Sequence, residues 1–182
     1  ALTPQIALYG KKCGIFGLGA IGFAFAKMAQ GFGMRVISYS RHKKTDPKYD
    51  FIEQVDFDTL LAESDVISIH APLTPSTEDT FDADAFAKMK DGTILINTAR
   101  GGLIVEEALV DALQSGKVYG AGLDVIRDEP PKGDNPLLHQ DNAAITAHIA
   151  WLTRASRLRA IDIAIDNFKA YLRGDPVSVI NK

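Results

Sequence analysis

The sequence predicts an α/β fold in which a doubly wound parallel sheet carries helices on both faces. Three observations lead to this prediction. Short apolar runs alternate with helical patterns along the chain, these runs are rich in β-branched residues, and they are apolar on both faces, as buried parallel strands are. Alternating strands and helices build right-handed βαβ units, which place the strands parallel in one sheet.

The predicted elements follow this alternation. Strands are predicted at residues 13–16, 35–39, 66–70, 93–97, 119–123 and 143–146. Helices are predicted at residues 21–32, 57–63, 84–89, 106–115 and 153–172. Residues 126–142 contain three prolines and are predicted to form an ordered loop, a kind of segment that often carries function.

The turn between the first strand and the first helix, residues 17–22 (GLGAIG), has the spacing of a dinucleotide-binding motif. Gly17 allows the tight turn, Gly19 lets a pyrophosphate approach the backbone, and Gly22 lets the helix pack close to the strand. The N–H groups at the helix start then favour an anion. This strand–turn–helix context predicts a Rossmann-type sheet that binds NAD or NADP; the alternative is a purely structural glycine loop.

The end of the second strand favours NADP over NAD. An NAD site places an acidic residue there, which binds the adenosine ribose and repels a 2′-phosphate. Here the position is held by Ser40, and Arg41, His42 and two lysines follow. A hydroxyl and a cluster of cations suit a 2′-phosphate, because a guanidinium binds phosphate oxygens in pairs. The alternative is a solvated basic loop.

The composition is that of one globular domain. The chain has 182 residues, of which 46% are hydrophobic, and this is enough to bury one core. A net charge of −3 gives no argument for nucleic acid or an anionic membrane as a partner. No transmembrane run or signal peptide is visible, so a cytoplasmic protein is expected. The single cysteine, Cys13, is expected to be buried and inert, and no His/Cys spacing indicates a metal.

Polar side chains follow three later strands. Arg100 comes after the predicted strand 93–97, Glu129 lies in the loop after 119–123, and His148 comes after 143–146. In an open α/β sheet, ligands bind at the carboxyl ends of the strands. The glycines beside Arg100 are interpreted as allowing a ligand to approach closely.

Several motifs, in this order and spacing, resemble those of the D-2-hydroxyacid dehydrogenase family over residues 9–176. They are the glycine-rich segment 17–22, HAPLT at 70–74, NTARG at 97–101 with VEEAL at 105–109, and HIAW at 148–151. The resemblance implies that Arg100, Glu129 and His148 are the catalytic residues. With the glycine-rich and basic segments, it gives a cofactor-binding set: Gly17, Gly19, Ala20, Ile21, Gly22, Ser40, Arg41, His42, His70, Ala71, Pro72, Thr77, Thr98, Ala99, Asp124 and Ala150.

The chemistry of a 2-oxo acid reduction suits these three catalytic residues. Arg100 can hold the substrate carboxylate and polarise the carbonyl, His148 can donate the proton, and Glu129 can orient the imidazole and stabilise its charged form. Each has a structural alternative: a cation at the sheet edge, a plain loop carboxylate no different from Asp128, and a strand-end histidine. For His70 and Asp124 the alternatives are likewise structural strand-end roles.

The segment HIAW resembles the glycerate dehydrogenase, or glyoxylate/hydroxypyruvate reductase, branch of the family. Trp151 would then shape the substrate pocket; its alternative is ordinary packing at the start of the last helix. Two departures from the family pattern stand out: Ala147 replaces a proline, and Ile126-Arg127 replaces an aromatic–acidic pair before Glu129. Two other functions stay open, a D-lactate-type dehydrogenase and a dinucleotide-dependent binding module like the C-terminal binding protein corepressors.

The resemblance also implies a domain organisation. Residues 1–182 correspond to the NAD(P)-binding domain, with residues 1–11 as a hinge and residues 152–182 as a helix and tail that return to a separate substrate domain of roughly a hundred residues. Because one side of the cleft would come from that domain, the chain alone is expected to bind dinucleotide but to reduce substrate hardly at all. Family precedent implies a homodimer.

Overall fold

The computed structural model describes residues 6–180, so residues 1–5 of the expected hinge and residues 181–182 of the expected tail lie outside the described part. The strands are β1 (Lys12–Phe16), β2 (Arg35–Tyr39), β3 (Ile52–Gln54), β4 (Val66–Ile69), β5 (Thr93–Asn97), β6 (Val118–Leu123) and β7 (Ala143–Ile145). The α-helices are α1 (Ala20–Gly31), α2 (Phe57–Glu63), α3 (Ala83–Lys88), α4 (Glu106–Gln114) and α5 (Arg154–Leu172).

The strands form one parallel sheet in the order β3-β2-β1-β4-β5-β6-β7, which confirms the predicted fold class. The chain runs outward from β1 to β3 on one side and then returns to place β4 on the other side of β1. The loops that leave β1 and β4 therefore diverge in opposite directions. Such a switch point opens a crevice at the carboxyl edge of a sheet, and this is where α/β proteins bind ligands.

Two apolar cores lie on opposite faces of the sheet. On one face α1 packs through Ala26 and Ala29 against Cys13, Ile15 and Val36. The larger core on the other face joins the sheet to α2, α3 and α4. Burial raises the pKa of the Cys13 thiol to about 12, which fits the expected inert cysteine.

The strand β3 is a difference from the sequence prediction, which has no strand between residues 39 and 66. It pairs with β2 over three residues, from Val36↔Ile52 to Ser38↔Gln54. Ile52 is buried, but the two residues that follow are polar and at most partly buried, so the segment is too short to show an apolar pattern. Elsewhere the predicted bounds of the strands and helices equal the observed ones or differ from them by one residue at one or both ends, which is the usual uncertainty of an element boundary.

The chain divides into two compact units, with the boundary between Ala147 and His148. The first unit contains the whole sheet and helices α1–α4. The second contains α5, whose N-cap residue Thr153 accepts a hydrogen bond from the Ser156 N–H at 3.1 Å. Among the described residues, none of the helices has the length and apolar character that crossing a membrane requires.

Candidate functional site

Packing requires two of the three glycines in the motif 17–22. Gly17 has φ of +98°, and a Cβ there would lie 2.6 Å from the Ala71 nitrogen. A Cβ on Gly22 would lie 2.3 Å from the Gly17 carbonyl oxygen. A Cβ on Gly19, by contrast, meets no atom of the described chain within 4 Å. The open space beside Gly19 is where the motif predicts that a pyrophosphate approaches the backbone.

The start of α1 has the properties of an anion site. Gly19 is the N-cap and offers no side chain to the first turn, and Ala20 and Ile21 are exposed. The first N–H groups of a helix have no partners within the helix, and the helix dipole makes this end partly positive. The first turn of α1, all of it described, contains no acidic residue that would neutralise this charge. Its backbone therefore fits a phosphate group.

Ser40 joins the end of β2 to the glycine-rich turn. Its Oγ accepts a hydrogen bond from the Leu18 N–H at 2.7 Å. The Gly17 N–H also donates to the Tyr39 carbonyl at 2.9 Å, so the turn is attached to β2 at two consecutive residues. The Ser40 hydroxyl keeps a proton that it can donate to a ligand oxygen. The side chain thus supports the turn and occupies the position where an NAD site carries a carboxylate.

A cleft of about 400 Å³ opens between the ends of β1, β2 and β4. Its basic lining residues are Arg41, His42 and Lys44, and none of the described residues that line it is acidic. Phe16, Tyr39 and Phe57 also line it; the Phe16 ring stacks on Tyr39 with centroids 5.6 Å apart. Aromatic faces beside a cationic rim suit a nucleotide, which has a flat base and an anionic phosphate.

The missed strand β3 holds the basic loop in place. Gln54 donates from its amide nitrogen to the Lys44 carbonyl at 2.8 Å and accepts from the Lys44 N–H at 2.7 Å. This pair of bonds fixes the backbone of the loop near its point of return to the sheet. Gln54 is not in the sequence-predicted site, whereas Lys44 belongs to the basic run 41–44 that was expected to suit a 2′-phosphate.

The opposite side of the cleft is formed by the loop after β4. The backbone N–H of His70 donates to the Phe16 carbonyl at 2.8 Å, and the ring Nε2 lies 2.9 Å from the Ser68 hydroxyl. Burial lowers the pKa of His70 to about 4, so its ring is neutral at physiological pH. His70 therefore lines the cleft as a neutral group and does not add to its positive charge. Thr77 folds the loop by donating to the Pro72 carbonyl at 2.7 Å.

Arg100 lies on a tight turn after β5 that Asn97 holds. The buried Asn97 side chain donates to the Arg100 carbonyl at 2.8 Å and accepts from the Ala99 N–H at 2.9 Å. These bonds present Thr98 and the Arg100 side chain at the sheet edge, where both are exposed. The Arg100 guanidinium also donates to the Ala99 carbonyl at 2.6 Å.

Gly101 and Gly102, which follow Arg100, have a different role from the close ligand approach that was expected from the sequence. A Cβ on Gly101 would lie 1.9 Å from the carbonyl carbon of Ile126, and one on Gly102 would lie 3.0 Å from Leu73. The space is filled by protein, so the expected close approach of a ligand is wrong for these two positions. What Gly101 permits is contact between the loop that carries Arg100 and the loop that carries Glu129.

The loop after β6 distinguishes Glu129 from Asp128. Glu129 Oε1 accepts from the Ile126 N–H at 3.2 Å, whereas Asp128 extends toward Lys132, 3.9 Å away. Arg127, the residue that departs from the family pattern, pairs with Asp79 and donates to the Ile104 carbonyl at 3.2 Å. The family departure thus adds contacts that fasten the loop.

Asp124 is buried at the end of β6. Its N–H donates to the Asn97 carbonyl at 2.9 Å, and its carboxylate accepts from the Thr146 hydroxyl. These bonds join the ends of β5, β6 and the segment after β7. Asp124 therefore has a structural role at the same edge where the resemblance places a cofactor contact.

The remaining predicted residues open the second compact unit. His148 has φ of +55°, in the left-handed region that residues other than glycine seldom adopt. Strained backbone of this kind is concentrated at functional sites. Ala150 and Trp151 follow in a turn closed by a bond from the Leu152 N–H to the Ile149 carbonyl at 2.9 Å, and Trp151 is exposed.

Comparison with known proteins gives consistent matches. The sequence model for the NAD-binding domain of D-isomer specific 2-hydroxyacid dehydrogenases matches residues 2–150. A hydroxypyruvate reductase from Blautia hydrogenotrophica is 51% identical over 98% of the chain and 56% of its own length. The chain spans about half the length of the curated relatives it matches.

Two solved structures are similar to this chain over nearly all of its length. A glyoxylate reductase from Paecilomyes thermophila has a TM-score of 0.91 at 38% identity, covering 98% of this chain and 55% of that one. An acyclic imino acid reductase, Bsp5, solved in complex with NADPH and D-Arg, has a TM-score of 0.88 at 35% identity, covering 96% and 55%.

Proposed function

The chain belongs to the D-isomer specific 2-hydroxyacid dehydrogenase family and carries its NAD-binding domain, and on this premise we propose that it serves an NADP-preferring reductase of a small 2-oxo acid. The observation that supports the cofactor preference best is the cleft at the end of β2. There Ser40 replaces the acidic residue of an NAD site, and Arg41 and Lys44 line the cleft with no carboxylate among the described lining residues. A 2′-phosphate gains charge-assisted hydrogen bonds in such surroundings, whereas a carboxylate would repel it.

The proposed substrates are hydroxypyruvate and glyoxylate. Support comes from the names of the relatives, a hydroxypyruvate reductase at 51% identity and a glyoxylate reductase at 38%. The segment HIAW at 148–151 favours the same branch. Trp151 is proposed to line the substrate pocket.

The proposed mechanism assigns one task to each of three side chains. Arg100 binds the substrate carboxylate through its planar guanidinium and polarises the adjacent carbonyl. His148 gives a proton to the carbonyl oxygen, and Glu129 hydrogen-bonds the imidazole and stabilises its charged form. The nicotinamide, when bound, supplies the hydride that adds to the carbonyl carbon. The carbonyl thus gains a hydride and a proton and becomes an alcohol, which is secondary for hydroxypyruvate and primary for glyoxylate.

A homodimer and a cytoplasmic location complete the proposal. The dimer is supported by family precedent, and its test is the mass of the protein in solution by light scattering. The location is supported by a sequence with a single cysteine, Cys13, which is buried and forms no internal disulfide.

The test of cofactor preference is calorimetric titration of the chain with NADPH and with NADH in the same low-salt buffer. We expect NADPH to bind more tightly, and Arg41→Ala to weaken NADPH binding far more than NADH binding. Lys117→Ala is the matched control, because it removes one positive charge at the amino end of β6, where Lys117 pairs with Asp91. Equal losses for both dinucleotides in Arg41→Ala would contradict the proposal. Tighter NADH binding by the wild type would mean that the basic loop is a solvated surface.

A further inference from the structure

The Arg41 guanidinium is attached to the other side of the cleft by a chain of hydroxyl groups. It donates a hydrogen bond to the Ser76 hydroxyl, 35 residues away in sequence. Ser76 Oγ lies 3.1 Å from Thr74 Oγ1, and Thr74 Oγ1 lies 3.0 Å from Thr77 Oγ1. This series of hydrogen bonds ends at the Pro72 carbonyl, which accepts from the Thr77 hydroxyl at 2.7 Å.

The chemistry of its two ends gives this chain one consistent direction. A carbonyl can only accept, so Thr77 uses its single hydroxyl proton on Pro72 and must accept from Thr74. Thr74 has then used its proton and accepts from Ser76. Ser76 is left with a lone pair toward Arg41, and a guanidinium can only donate. Each hydroxyl is thereby polarised by the next, which strengthens the bond that Arg41 makes.

We propose that Ser76, supported by Thr74, is a positioning residue that sets the preference for NADP by holding the Arg41 guanidinium over the cleft. This inference rests on the proposed function. Arg41 is exposed at the end of a basic loop, and an unrestrained arginine side chain would lose conformational entropy on binding a phosphate. The bond to Ser76 restricts that freedom before the ligand arrives and leaves the other N–H donors of the guanidinium available for a 2′-phosphate.

The location of Ser76 supports a role in specificity. Ser76, Thr74 and Thr77 all line the same cleft as Arg41 and Ser40. Ser76 is exposed and lies in the loop after β4, outside every helix and strand, so the fold does not depend on its side chain. The preference would therefore be shared between loops on both sides of the switch point, after β2 and after β4.

The test measures the ratio of the NADH and NADPH dissociation constants for the wild type, Ser76→Ala and Thr74→Val. We expect the ratio to fall by about three- to tenfold in Ser76→Ala, the change that the loss of one hydrogen bond produces, and by less in Thr74→Val. Ser115→Ala is the matched control: it also removes one serine hydroxyl, which donates to the Ala112 carbonyl at the end of α4, and Ser115 is not among the described residues that line the cleft. Its ratio should equal that of the wild type.

A double-mutant cycle with Arg41→Ala separates positioning from direct contact. If Ser76 acts through Arg41, Ser76→Ala changes the ratio in the wild type and leaves it unchanged in Arg41→Ala. An equal effect in both backgrounds would mean that Ser76 binds the phosphate itself, and would overturn the inference. So would an unchanged or increased NADPH preference in Ser76→Ala. A wild type that prefers NADH would overturn the proposed cofactor preference as well, whereas a wild-type NADPH preference that Ser76→Ala leaves undiminished overturns this inference alone.

Discussion

The backbone of Ile126 occupies the space that a side chain on Gly101 would need. A Cβ on Gly101 would lie 1.9 Å from the Ile126 carbonyl carbon and 2.0 Å from its oxygen. Gly101 follows Arg100 directly, and the Ile126 N–H donates to the Glu129 carboxylate. One contact between backbones therefore connects the loops that carry two of the three proposed catalytic side chains.

Gly101→Ala should destabilise the fold by about 3 kcal/mol, because backbone atoms cannot move aside as a flexible side chain can. The measurement is the free energy of unfolding in urea. Gly31→Ala is the control: at the end of α1 its Cβ meets no described atom within 4 Å, and it should gain about 0.5–1 kcal/mol from reduced freedom of the unfolded chain. Equal stabilities for the two variants would contradict the role given to Gly101.

Gly19→Ala should leave the fold intact and weaken dinucleotide binding by about tenfold or more, because its methyl group would occupy the path of the pyrophosphate. Gly19 has φ of −88°, which alanine adopts readily, and the space beside it is open. Calorimetry with NADPH gives the binding constant, and urea unfolding checks the fold. Wild-type affinity in Gly19→Ala would place the pyrophosphate elsewhere.

His70 should make the protein less stable as pH falls from about 6.5 to about 4. The folded state holds the pKa of His70 near 4, below its ordinary value of 6.5, so within this range the unfolded chain binds the extra proton. The contribution of the neutral His70 to the free energy of unfolding is complete above pH 6.5 and is lost as the pH drops toward 4. With partial burial taken into account, the difference between wild type and His70→Gln should reach about 1–2 kcal/mol across this range.

The measurement is urea unfolding of both proteins at a series of pH values. The exposed His139→Gln is the control and should follow the wild-type curve. Parallel curves for wild type and His70→Gln would mean that His70 is not held neutral by burial.

Salt should weaken NADPH binding more steeply than NADH binding. Arg41 is exposed and Lys44 only partly buried, so their attraction for a 2′-phosphate is screened as the Debye length falls from about 30 Å at 0.01 M to about 3 Å at 1 M. Titrations across this range should bring the two affinities together. Arg41→Ala should show a smaller difference between the two salt slopes than the wild type does.

His148→Asn should abolish the proposed reduction of 2-oxo acids, assayed with the whole encoded protein, and should leave dinucleotide binding intact. Asparagine accepts the left-handed backbone that His148 adopts, with φ of +55°, so the change removes the proton donor without new strain. The assay is NADPH oxidation with hydroxypyruvate, beside calorimetry with NADPH alone. Retained turnover would exclude His148 as the proton donor.

The sheet and the glycine-rich turn could be predicted from sequence because their signals are local. An apolar run such as Thr93–Asn97 and the spacing of Gly17, Gly19 and Gly22 each specify a structure within a few residues. The strand β3 escaped prediction because a single buried isoleucine, Ile52, anchors it and pairing with β2 does the rest.

The parts of the site that sequence did not predict depend on contacts between distant residues. Gly101 contacts Ile126 only after the sheet has brought their loops together, and the same holds for Arg41 and Ser76. The sequence around each of these residues does not predict its distant partner. The hydroxyl-rich segment 74–77 was the one available signal for Ser76. Proximity to Arg100 made a ligand the obvious explanation for Gly101, whereas the structure fills that space with backbone.

The bond from the Leu18 N–H to Ser40 separates two requirements at one position. The fold needs only an acceptor for that N–H at the end of β2, and an aspartate carboxylate would supply one as a serine hydroxyl does. Cofactor choice depends on the charge of the same group. Ser40→Asp could therefore exchange one dinucleotide for the other without loss of the turn. A change of cofactor preference, in evolution or by engineering, need not pass through a variant that fails to fold.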